Sequence, residues 1–150
     1  MEEDKKRRLE FELVPDGCWY SNLRTILNKA QWDYIKAYAK EKANGKCMIC
    51  GKKTERLEAH EKWSYNIKTA TQKLEDVIAV CHDCHSAIHI GRTSLKGNLE
   101  RAEDHYIKVN GISFAQMKSD LKKANEEHKK RNLVPEWKLD LTWLKHFIEE

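Results

Sequence analysis

The sequence predicts an α+β fold: a small strand, connection, strand and helix core, flanking α-helices, and a short β pair between the chain's ends. Three observations predict it. Cys47-Met-Ile-Cys50 and Cys81-His-Asp-Cys84 are two CxxC pairs in one chain, and such turns aim their sulfurs at a common point, where four thiolates surround a tetrahedral Zn²⁺. Between the pairs, Arg56 to Trp63 and Val77 to Val80 have strand character. Outside them, apolar residues recur at helical spacing behind recognisable capping residues.

In chain order, Leu9-Glu-Phe-Glu-Leu13 alternates apolar and polar residues, the period of a half-buried strand, and Pro15-Asp16-Gly17 closes it. Trp137-Lys-Leu-Asp-Leu141 alternates in the same way, and these two segments are expected to pair. Ser21 to Leu27 reads as a short helix. A longer helix follows Asn28, with Gln31 at the reciprocal capping position, Trp32, Ile35, Tyr38 and Ala39 on one face, and Gly45 as its stop. The residues from Ser64 to Asp76 are expected to connect the two central strands, and a short helix after Cys84 to end at Gly91. Two more helices follow, one marked by Leu99, Ala102, Tyr106 and Val109, the other opened by a Ser113/Gln116 capping box. With no repeat or flexible linker in view, residues 1–150 are expected to form a single domain, its core at 45–92 and helical flanks at 19–44 and 93–150.

Composition narrows the classes. The 150 residues are 40% hydrophobic and 35% charged, with a net charge of +4; a core is attainable, and the basic excess suits a nucleic-acid partner without requiring one. The amino terminus has no apolar run behind its charges and no segment approaches a membrane span, so a cytoplasmic protein without a membrane partner is expected. Four of the five cysteines stand in CxxC pairs, which fits metal binding in a reducing compartment better than disulfides. The fifth, Cys18, reads as a small semi-buried hydrophobe.

Four histidines, His60, His82, His85 and His89, lie between or beside the pairs. On a helix His85 and His89 are i and i+4, share a face, and can bind one ion or one phosphate. An isolated histidine is ordinarily a solvated or satisfied imidazole, and His105, His128 and His146 take that assignment for want of ligand spacing around them. A redox role for CxxC would not require the second pair.

The stretch from Cys47 to Gly91 resembles an HNH endonuclease of bacterial or phage type, whose ββα-metal (His-Me finger) core is clasped by a four-cysteine zinc. Leu57-Glu-Ala-His-Glu61 matches the first strand, Leu74-Glu-Asp-Val77 the approach to the second, and His85 the helix's metal ligand. The resemblance implies phosphodiester hydrolysis in nucleic acid, DNA being the expected substrate. It also implies a structural Zn²⁺ on Cys47, Cys50, Cys81 and Cys84, and a separate catalytic ion such as Mg²⁺ or Mn²⁺. The catalytic set it implies is His60 as general base and His85 as metal ligand, with Asp76 and Glu61 beside them, and His85, His89 and Glu58 as candidate ligands of the second ion.

The chain departs from the family's usual His-His or Asp-His pair, having Ala59-His60-Glu61. Either His60 is the general base, in which case Ala59 binds nothing, or His60 is the metal ligand and Glu61 stands where the base belongs. Strand parity puts Glu58 on the side of His60, able to contribute what Ala59 cannot. Asp76 occupies the place of the family's asparagine and can accept an imidazole N–H. Lys52, Lys53, Arg56, Arg92, Lys122 and Lys123 are candidate contacts to a nucleic-acid backbone, as are Lys5 to Arg8. Trp63 and Tyr65 either stack on a base or wall the zinc core. The alternative to an enzyme is an HNH-like zinc module that has lost its chemistry and grips nucleic acid or a protein partner.

Overall fold

A long antiparallel hairpin organises the molecule. In the computed structural model, which describes residues 6–148 and so leaves Lys5 outside, β1 spans Glu58–Asn66 and β2 Thr71–Val80. Their register runs from Glu58 opposite Val80 to Asn66 opposite Thr71, with a bulge at Lys62/Trp63. The turn is only residues 67–70, tied by Asn66 Oδ1 accepting the Thr69 N–H at 3.2 Å. The residues from Ser64 to Asp76 are therefore mostly strand, not a connection. Gln72 and Lys73 break the apolar pattern, and the strand continues through them because Gln72 is buried with its Nε2–H on the Ser21 carbonyl, 3.1 Å away.

Helices lie on both faces of the hairpin. α1 (Leu23–Ile26) and α2 (Lys29–Ala43) each begin with a capping box, at Asn22/Thr25 and Asn28/Gln31. α2 ends at Asn44 in the left-handed conformation, φ 53°, and Gly45 follows at φ 79°, a conformation that a residue with a side chain rarely adopts. α2 packs on β2 and, less extensively, on β1. α3 (His82–Ile88) starts from the second CxxC and packs against β1 and α5 (Leu99–Asn110). Gly91 does not stop it. α3 ends at His89, whose φ −96° and ψ 53° turn the chain into α4 (Ile90–Leu95), and Gly91 lies inside that next helix. α6 (Phe114–Asn132) has the expected Ser113/Gln116 box and packs on α5.

The terminal β pair does not form. β3 (Lys138–Asp140) runs parallel to β2, opposite Thr71–Lys73, and the sheet order is β1-β2-β3. Residues 9–13 join no ladder. They cross the α3–α5 side as a strap, with the Glu12 N–H on the Ile88 carbonyl at 2.9 Å and Phe11 stacked on Tyr106, ring centroids 3.9 Å apart. Asn110 takes the place of a partner strand, its Oδ1 accepting the Arg8 and Leu9 N–H groups and its Nδ2 donating to the Leu9 carbonyl. At the other end, Trp143 and Phe147 pack on Tyr38 of α2, the last element being α7 (Lys145–Ile148). Leu9, Leu23, Ile35, Leu74, Val77, Ile88, Ala102, Met117 and Leu144 belong to one continuous core.

Candidate metal centres

Two donor clusters lie where the hairpin meets α3. In the first, Cys47, Cys50, Cys81 and Cys84 bring their sulfurs within 4.8 Å of one another. The loop 45–54 is a knuckle: the Ile49 and Cys50 N–H groups point at Cys47 Sγ, 3.4 and 3.5 Å away, and Gly51 takes φ 80° to close the turn. The Met48 N–H on the Ala79 carbonyl docks this knuckle to the end of β2. Cys81 caps α3, its sulfur accepting the Cys84 N–H at 3.4 Å.

The thiol hydrogen bond from Cys84 holds Cys47 far down, at about 4, whereas burial drives Cys81 up to about 11, and the Cys47 thiolate raises Cys84 further. One negative charge is thus stable among four crowded sulfurs and further ones repel it; a bound cation removes that repulsion. The spacing suits zinc. Cys50 and Cys81 sulfurs are 3.7 Å apart, against roughly 3.8 Å for a tetrahedron with Zn–S bonds of ~2.3 Å. The four cysteines form a site able to hold one metal ion.

The second cluster is His60, His85 and His89, one ring nitrogen of each lying within 4.8 Å of the others. Strand alternation turns His60 toward α3, and the i, i+4 relation of His85 and His89 presents both rings to it. The three ring centroids are 4.9–5.5 Å apart. Each arrangement of partners leaves a lone pair for a ligand. His85 Nδ1–H donates to Glu58 Oε1 at 2.7 Å, which leaves Nε2 as the nitrogen available to a ligand; His60 Nε2–H donates to Glu12 Oε1 at 3.1 Å, which leaves Nδ1. Burial pushes His89 down to about 2, helped by the fields of His60, His85 and Arg92, and burial also lowers His85 despite Glu58. Neutral imidazole is the form that binds metal.

The other expected site residues land as follows. Glu58 is not one of the three-histidine group. It bridges His85 and His82 with its two oxygens, at 2.7 and 2.9 Å; burial raises its pKa, but the two histidines more than offset this and hold it below the ordinary value. Glu61 faces the other side of the sheet, accepting the Leu23 N–H at 2.8 Å, and burial raises its carboxyl. Strand parity thus points Glu61 away from the histidines and toward α1. Asp76 accepts its own neighbour's N–H, from Val77 at 2.8 Å, and lies 4.0 Å from Lys42, so it orients no imidazole. Trp63 packs on the core, and Tyr65 lies between Trp137 and the Arg131 guanidinium.

Lys52, Lys53 and Arg56 are exposed on and beside the cysteine knuckle, Arg92 is exposed beside the histidines, and Lys122 and Lys123 are exposed on α6. Two residues escape sequence reasoning. Glu12 alternates like a solvent-facing strand residue, and nothing local marks it as a partner of His60. His105 lies with its Nε2 3.2 Å from Cys84 Sγ, joining α5 to the cysteine cluster, although no ligand spacing surrounds it. No family model, curated protein or solved structure matches the chain.

Proposed function

We propose that the chain is a metal-dependent phosphodiester hydrolase of the HNH endonuclease type, acting on nucleic acid, with DNA as the substrate class. The observation that carries the reading is the convergence of three imidazoles from a β-hairpin and the helix after it, beside a separate four-cysteine cluster. That order of elements, β1, β2, α3, is the one the ββα-metal core requires.

In this reading Cys47, Cys50, Cys81 and Cys84 hold a structural Zn²⁺ that joins the 45–54 loop to the start of α3. His60, His85 and His89 would hold a catalytic divalent ion, their all-imidazole donor set suiting a first-row transition-metal ion rather than the oxygen-seeking Mg²⁺, and His60 would then be a ligand and not the general base that the resemblance assigns it. When bound there, the ion offsets charge that builds on a scissile phosphate. Glu58 and Glu12 each hold one ring nitrogen protonated, so that the other is free to bind. Arg92 adds positive charge beside the cluster, which suits a phosphate substrate. Free cysteines at all five positions suit a reducing compartment such as the cytoplasm.

The test is nicking of supercoiled plasmid with Mg²⁺ or Mn²⁺ and with chelator. His85→Ala and His89→Ala should each lower the rate on the order of 10²-fold or more, since the ion is worth several kcal/mol in the transition state. Wild-type protein that yields no product with any divalent ion would overturn the reading. One observation favours the alternative, a module that binds without cleaving: Glu61, at the family's base position, faces away from the histidines. It predicts salt-sensitive retention of DNA with no cleavage.

A further inference from the structure

We propose that Glu12 is a positioning residue for the three-histidine centre, which makes the N-terminal strap part of that centre. This rests on the reading that His60, His85 and His89 hold a divalent ion. His60 is 3% exposed, and a buried imidazole N–H requires an acceptor. Three carboxylates lie on neighbouring chain. Glu58 has one oxygen on His85 and the other on His82, and Glu61 is on the opposite face of β1 with the Leu23 N–H. Glu12 Oε1, 3.1 Å from His60 Nε2, is thus the carboxylate that serves His60 among the described residues.

The consequence follows from the chemistry of the ring. A carboxylate accepts and cannot donate, so it fixes the Nε2–H tautomer and leaves Nδ1 as the lone pair that His60 can give to an ion. His85 is fixed in the opposite sense by Glu58 from its own hairpin. The centre therefore takes one of its two orienting carboxylates from outside the hairpin and helix. That carboxylate is fastened by contacts that involve no histidine: the Glu12 N–H on Ile88, Phe11 on Tyr106, and Asn110 on Arg8 and Leu9. Metal affinity at the histidines and docking of the strap are then one linked equilibrium.

The experiment is a Co²⁺ titration of the full chain with zinc already on the cysteines, followed by cobalt absorption and calorimetry. Glu12→Ala should weaken cobalt binding ~10–100-fold, the usual cost of losing an outer-shell partner, with the zinc content unchanged. Glu12→Gln, which keeps an acceptor oxygen without the charge, should fall between Ala and wild type. Asn110→Ala, which touches no histidine, should weaken binding by releasing the strap. Wild-type affinity in both Glu12 variants would overturn the inference; should Glu12→Ala not fold, Glu12→Gln decides alone. A wild-type chain that takes up no cobalt overturns the metal site and this inference together. One that binds cobalt in a Glu12-dependent way yet cleaves no DNA removes only the nuclease.

Discussion

Glu61 and His60 are adjacent in sequence and lead opposite lives, because the period of a strand sends neighbours to opposite faces. His60 meets two imidazoles and a carboxylate. Glu61 meets the amino end of α1, where it accepts a backbone N–H that would otherwise be unsatisfied. Burial raises its pKa above the ordinary 4.5, so the protonated form is favoured in the folded state. Its favourable contribution is complete below the unfolded value and is lost as pH rises through the raised folded one. Glu61→Gln keeps an oxygen for the Leu23 N–H and cannot ionise. Urea unfolding should therefore show a variant more stable than wild type at neutral pH, with the difference closing near pH 4, and plasmid nicking should be unaffected. A large loss of cleavage in Glu61→Gln would restore that residue as the base.

At the scale of elements, local chemistry was readable and long-range partners were not. The Asn28/Gln31 and Ser113/Gln116 boxes lie within one turn of the helices they open, and both form. α6 depends on such local terms more than the others do, since Met117 is its one buried residue among 19. Ser113→Ala should cost about 1 kcal/mol, seen as a fall of about 2–4 °C in the thermal midpoint of a chain this size; an unchanged midpoint would show that tertiary contacts alone hold the helix. The strap and β3 show the other case. Residues 9–13 and 137–141 share an alternating pattern, but a period says nothing of which chain lies alongside. Asn110 satisfies the first segment with a side chain, and β2 satisfies the second with a ladder. The donor clusters divide in the same way. The cysteine pairs and His85/His89 are close in sequence and could be read there, whereas Glu12 is 48 residues from His60 and His105 is 21 from Cys84.

Over the whole molecule, the charge is small and unevenly useful. A net +4 gives weak general attraction to a polyanion, so in the proposed reading nucleic-acid binding would rest on a few cations near the site. Arg92 is exposed on α4, and its field reaches His85 and His89; Lys52 and Lys53 flank the cysteine knuckle, and the Lys52 field reaches Asp83 at the start of α3. Lys122 and Lys123 are different. They lie on α6, which packs on α5, while α5 is the layer against α3, so a helix separates them from the histidines. A duplex seated on the three-histidine centre would meet the first group and miss the second. Each phosphate contact contributes about 0.9 to the slope of log affinity against log salt. Arg92→Ala should therefore reduce that slope by about 1, measured by fluorescence anisotropy with a labelled duplex in chelator. The double variant Lys122→Ala/Lys123→Ala should leave it at the wild-type value. If the α6 pair carries the slope and Arg92 does not, the nucleic acid lies across the outer helices, and the histidine centre is not where it binds.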